Sequence, residues 1–188
     1  MKELVRVKFF LPVSQNDPKQ LQQDLVANAT ENALTNLILA TDKCLTVANI
    51  KDLINPKQLL KEYKTIHLKG ARQIGHTTGI VKILDKFKFN KIAYICFKQE
   101  QANRFTKLYS YHYYQDSLLT SNAKQFQTIT RSIHYFTYGQ LKYGVLRGQD
   151  FDLVIVDTAS FMTPTQTELL YDELSPMSDT LREIVFLQ

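Results

Sequence analysis

Apolar and polar positions along the chain follow two rhythms, and the change between them falls near residue 64. Upstream, in PKQLQQDLVANATENALTNLILA over residues 18–40, Leu21, Leu25, Ala29, Ala33 and Leu37 recur at every fourth position. That spacing predicts a long helix with one apolar face packed on the core. Pro18 suits a first helical turn and Asp17 an N-cap, and Asn55-Pro56 opens a shorter helical stretch through Glu62. Downstream, short apolar strands alternate with helical segments: TIHLKG, TTGIVKILDKF, KIAYICF and EQANRFTKLYSY, then strands SIHYFTY at 132–138, DLVIVD at 152–157 and EIVFLQ at 183–188. This is the rhythm of parallel strands joined by crossover helices on both faces. It predicts an α/β fold with a doubly wound, mainly parallel sheet of about five strands. Residues 64–188 would form its core and residues 1–63 an N-terminal accessory helical layer.

Composition narrows the picture. At 188 residues and 44% apolar content, the chain suits one well-cored domain. It has no apolar run near the roughly 20 residues of a membrane span and no cleavable-signal pattern, so a cytoplasmic protein is expected. Cys44 and Cys96 stand far apart and the four histidines lack metal-ligand spacing, which predicts buried reduced thiols and no histidine metal centre. Charge is segregated: basic against acidic side chains number 15 against 5 over residues 61–150, and 1 against 7 over residues 151–188. A basic middle of this kind attracts polyphosphate, either nucleotide or nucleic acid, or simply coats solvated helix faces.

The candidate chemistry lies at the first strand–helix junction of the core. Gly70-Ala-Arg-Gln-Ile-Gly75-His76-Thr77 has the spacing of the phosphate loop GxxxxGK[ST], with His76 at the lysine position. An apolar strand enters it and a helix carrying Ile80, Val81 and Leu84 leaves it, so backbone N–H groups and a helix N-terminus converge where phosphate would sit. Lys69, Gly70, Arg72, Gln73, Gly75, His76, Thr77 and Thr78 are the expected nucleotide-binding residues, with Gly75 allowing close backbone approach. Thr77 would reach a magnesium ion from one side and Asp157, closing the strand DLVIVD, from the other. Histidine is shorter than lysine and mostly neutral near pH 7, so Lys69 or Arg72 would supply the reaching cation, the alternative being a His76 that phosphate keeps protonated. The plain alternative is a strand–turn–helix connection with two glycines and an acid that merely ends a strand.

With those segments in place, LKGARQIGHTTGIV followed by VLRGQDFDLVIVDTASFM resembles the ATPase domain of viral terminase large subunits, the motors that drive DNA into capsids, over residues 64–188. Arg72-Gln73 inside the loop, Arg147-Gly148 before the acid strand and Lys69 at the start of the loop match that family's pattern. The resemblance implies a P-loop NTPase type of fold, ATP and Mg2+ as cofactors, DNA as partner, and other subunits of a viral packaging or DNA-processing assembly in the host cytoplasm. Two departures temper it. Thr158 stands where the family has the glutamate that activates water, and the chain stops at Gln188 without the nuclease domain of the large members. The expected function is therefore a terminase-like nucleotide-binding protein acting on DNA, with weak or absent intrinsic hydrolysis unless Glu100, Glu168 or a partner subunit supplies the base. The alternative is a catalytically inactive P-loop fold serving as a nucleic-acid or protein-binding module. A small nucleotide kinase is disfavoured by the lack of an arginine-rich lid. For nucleic acid, Arg104, Lys107, Tyr111, Tyr113 and Arg147 are the candidates, the tyrosines either stacking bases or serving as half-buried supports.

Overall fold

The computed structural model describes residues 18–48, 54–69, 75–119 and 132–188. Five helices are described, α1 (Pro18–Ala48), α2 (Pro56–Tyr63), α3 (His76–Lys86), α4 (Gln99–Leu119) and α5 (Pro164–Leu174). The strands are β1 (Thr65–Leu68), β2 (Lys91–Cys96), β3 (Ser132–Thr137), β4 (Leu153–Val156) and β5 (Glu183–Leu187). They form one sheet in the order β1-β5-β4-β2-β3, and every pairing is parallel. The expected α/β architecture of a doubly wound parallel sheet of five strands is thus the observed one.

Alternate residues of the central strands feed two separate cores, as the two-residue period of a strand requires. Ile92, Tyr94, Leu153, Ile155 and Val185 pack with Leu34 and Ile38 of α1, Ile80, Val81, Ile83 and Leu84 of α3, and Ala102 and Phe105 of α4. Ala93, Ile95, Val154, Val156 and Ile184 pack on the other side with Leu60 of α2 and Leu170, Tyr171 and Leu174 of α5. Both faces being covered explains the near-continuous apolar runs KIAYIC and LVIV.

Helix α1 corrects the expected apolar face. Its buried positions are Ala27, Thr30, Leu34, Ile38 and Leu45, whereas Leu21, Leu25 and Leu37 are 57%, 62% and 45% exposed. Ala29 and Ala33 are exposed too. Four residues turn an α-helix about 40° past a full circle, so five positions four apart wind away from any flat neighbour. Mixing steps of three and four keeps a stripe parallel to the axis, and that stripe meets α3. The cysteine expectation is corrected in part: Cys96 is buried, but Cys44 is exposed on α1. Asp17 lies outside the described residues. Helix α5 is unannounced above, although Thr163-Pro164 and Gln166 form a capping box with proline in the first turn. Among the described residues no helix is long and apolar enough to cross a membrane.

Candidate functional site

In a parallel sheet all strands end at one edge, and Lys69, the first turn of α3 and Asp157 lie there. β1 closes at Leu68 and exposed Lys69 follows it. Gly70, Arg72 and Gln73 lie outside the described residues. Gly75 resumes the chain as the N-cap of α3 with φ of 80°, in the left-handed region that glycine adopts without strain. His76 is the first helical residue, with Thr77 and Thr78 in the same turn. The backbone N–H groups of that turn have no partners within the helix, and no acidic side chain of the turn offsets its positive end.

Close approach at Gly75 has a second use. A Cβ built there would lie 2.4 Å from the Gln23 carbonyl oxygen, and one at Gly79 would lie 2.7 Å from both the Ala27 carbonyl oxygen and Thr30 Cβ. The two glycines, one helical turn apart, let α1 lie directly on the start of α3. Across that contact Thr30 Oγ1 is 2.8 Å from His76 Nδ1.

Asp157 follows β4, its own N–H bonded to the Ile95 carbonyl at 2.8 Å. The buried Tyr94 hydroxyl donates to Asp157 Oδ2 at 2.5 Å. Burial, then the neighbouring Asp157 carboxylate, push the Tyr94 phenol far above its ordinary value, so it stays a neutral donor. Tyr94 belongs to the core that contains α3. The carboxylate therefore points to the α3 side of the sheet, at the edge where α3 begins. β5 stands between β1 and β4, so the acid strand is next but one to β1, roughly 10 Å away across two strand spacings.

Thr158, which follows the acid, sits in the left-handed region with φ of 54°, uncommon for a β-branched residue. Its hydroxyl donates to the Asp157 carbonyl at 2.7 Å and accepts from Gln101 Nε2 at 2.7 Å. The Tyr138 hydroxyl donates to the same carbonyl. This knot of hydrogen bonds fixes the turn after the acid but adds no base. Glu168, considered above as a source of one, is on the opposite layer, where Lys61 and Lys57 engage it at 2.6 and 2.9 Å. Their hydrogen bonds, Lys61 first, lower its pKa. Glu100 is exposed in the first turn of α4.

The nucleic-acid candidates divide. Arg104, Lys107 and Tyr111 are exposed along one stripe of α4, Tyr113 lies further along the same helix, and Arg147 is exposed in the turn before β4. Residue patterns missed an aromatic shelf at the same sheet edge: Phe97, after β2, stacks on Phe161, after β4, with centroids 5.2 Å apart. Each is about half exposed, at 47% and 48%. Tyr94 was missed because a hydroxyl inside an apolar run looks like core until its partner is known, and Thr30 because it stands among the polar residues Asn28, Glu31 and Asn32.

The donor chemistry fits magnesium. A carboxylate and a hydroxyl are hard oxygen ligands, and Tyr94 engages only one of the two Asp157 oxygens. Among the described residues no group of three or more His, Cys, Asp or Glu is placed to hold a metal. Such a site therefore needs phosphate oxygens and water to complete it, the usual arrangement for magnesium.

Comparison with known proteins adds little. No protein-family model matches the chain, and no curated protein does. Among solved structures, one that matches is a mutant of a Thermus phage large terminase ATPase domain, at 12% identity and a TM-score of 0.41. The overlap covers 72% of this chain and 64% of that one. At that level the likeness assigns neither ligand nor activity to this protein.

Proposed function

We propose that the protein binds a nucleoside triphosphate with magnesium at the carboxyl edge of its sheet and works on DNA, as a terminase-like P-loop component with weak intrinsic hydrolysis. The observation that carries this reading is the placement of Asp157: on the α3 side of the sheet, at the edge where α3 begins, held by a buried tyrosine. Lys69, Gly70, Arg72, Gln73, Gly75, His76, Thr77 and Thr78 bind the phosphates in this reading, with Lys69 or Arg72 as the reaching cation. Thr77 and Asp157 hold the metal, which when bound neutralises phosphate charge. The basic middle of the chain, with Arg104, Lys107, Tyr111, Tyr113 and Arg147, is the side offered to DNA, and residues 1–63 brace the core.

The test is binding of an ATP analogue with and without magnesium. Thr77→Ala and Asp157→Asn should each weaken binding in magnesium, about tenfold or more, while leaving the weaker magnesium-free binding nearly unchanged. A wild-type protein that binds neither ATP nor GTP at millimolar concentration would eliminate the nucleotide reading. A second reading, a P-loop fold retained as an inactive binding module, is favoured by Thr158, whose hydroxyl is committed to the Asp157 carbonyl and Gln101.

A further inference from the structure

Three things coincide where α1 crosses α3. Thr30 is 4% exposed, so its hydroxyl requires a partner inside the protein. The Gly75 and Gly79 contacts leave no room for α1 to shift toward α3. And the hydroxyl faces Nδ1 of the histidine that replaces the phosphate-loop lysine, at 2.8 Å.

We infer that Thr30 is a positioning residue that holds His76 with its proton on Nε2, making that nitrogen, to which no described residue is hydrogen-bonded, a donor toward phosphate. The inference rests on the nucleotide reading above for the identity of that acceptor, but the protonation pattern does not. A neutral imidazole has one donor and one acceptor nitrogen, and the partner of one decides the role of the other. Two networks fit the distance. In one the Thr30 hydroxyl donates to Nδ1 and Nε2 carries the proton. In the other Nδ1–H donates to Oγ1 and the hydroxyl proton must find another acceptor, typically the carbonyl four residues back. Thr46 and Thr106 take that helical option, bonding the Asp42 and Ala102 carbonyls at 2.7 and 2.9 Å. Among the described residues Thr30 bonds the imidazole and nothing else, which leaves its proton to Nδ1. The outcome suits an anion: a neutral donor in the first turn of a helix adds to unpaired N–H groups at the positive end of the dipole. A lysine needs no such partner, since every proton on its ammonium is a donor. Histidine in its place does, and α1 supplies it.

The experiment is nitrogen–proton correlation NMR of the full chain, with the His76 signals identified by their absence from His76→Gln. The wild-type ring should show Nδ1 unprotonated and Nε2 protonated at neutral pH. Thr30→Val, which keeps the shape and removes the hydroxyl, should mix the two tautomers, and Thr30→Ser should restore the wild-type pattern. Binding of MgATP should follow, weakening roughly three- to tenfold in Thr30→Val, the scale of one neutral hydrogen bond, and recovering in Thr30→Ser. A proton on Nδ1 in the wild type, or a Thr30→Val spectrum identical to it, would overturn the inference. So would a tautomer change that leaves MgATP affinity untouched. If the wild type binds no MgATP, the nucleotide reading and the phosphate acceptor fall together, while the spectra still decide the role of Thr30.

Discussion

At the residue scale the most exposed thermodynamic liability is a residue with no exposure. Glu183 opens β5 fully buried, and neither carboxyl oxygen has a hydrogen-bond partner of good geometry among the described residues. Burial, and then the Asp42 carboxylate, raise its pKa from 4.5 to about 8, with Lys64, the Thr41 hydroxyl and Arg182 offsetting only part of that. Lys64, also buried, donates to the Ser178 and Leu181 carbonyls at 2.6 and 2.5 Å. Because the folded chain holds this proton more tightly than the unfolded chain, stability is fullest below the unfolded value of 4.5 and falls as pH rises toward 8. The steepest decline is about 1.4 kcal/mol per pH unit. Glu183→Gln, which cannot ionise, should flatten the curve and exceed wild-type stability at the alkaline end of that window. Urea denaturation at several pH values is the check, and parallel curves for the two proteins would count against a buried neutral acid. Nothing in the sequence EIVFLQ distinguishes this glutamate from one at a wet strand end. Its environment comes from α1 and from the turn before β5, and both are remote or irregular.

At the scale of elements, the packing of α1 on α3 sets two effects in competition. Alanine in a helix interior is worth roughly 0.5–1 kcal/mol over glycine, so Gly79→Ala on a free helix would stabilise. Here the added methyl would meet the Ala27 carbonyl oxygen and Thr30 Cβ at 2.7 Å, and a backbone atom on a packed helix cannot swing aside. Overpacking of this sort costs typically about 1–3 kcal/mol. A net loss is therefore expected, together with an altered environment at His76. A rise in the thermal midpoint would mean that α1 does not dock here as described. The strands were legible because each is a short apolar run bounded by polar or turn residues, and β2 and β4, buried on both faces, were the clearest. The burial of α1 was not: a stripe every fourth residue and one in mixed steps of three and four were both written into the same segment. Only a neighbour selects between them.

For the whole molecule, the parallel sheet gathers the start of α3, the acid and the aromatic shelf at one edge, and the residue that follows the acid is a threonine and not a carboxylate. Thr158 is bonded on both sides, and Glu168 belongs to the far layer. ATP turnover by the isolated chain should accordingly be slow, with or without DNA. Thr158→Glu should raise it while nucleotide binding persists. General-base assistance is worth ~10²–10⁴ in rate, so even a poorly aimed glutamate should give a measurable gain in phosphate release. Brisk wild-type turnover on adding DNA would instead place the base elsewhere and remove the inactive-module reading.

The chain's own order of residues determined the fold class, the five strands and the order of loop and acid, because period-two and helical patterns, glycine spacing and strand-ending polar residues are local properties. Tertiary structure decided what those residues meet. It set β5 between the loop strand and the acid strand, bonded Tyr94 to Asp157, turned a different stripe of α1 inward and brought Thr30 against His76, 46 residues away in sequence. Contacts of that separation follow from how layers stack across a sheet, and no window of sequence contains both partners.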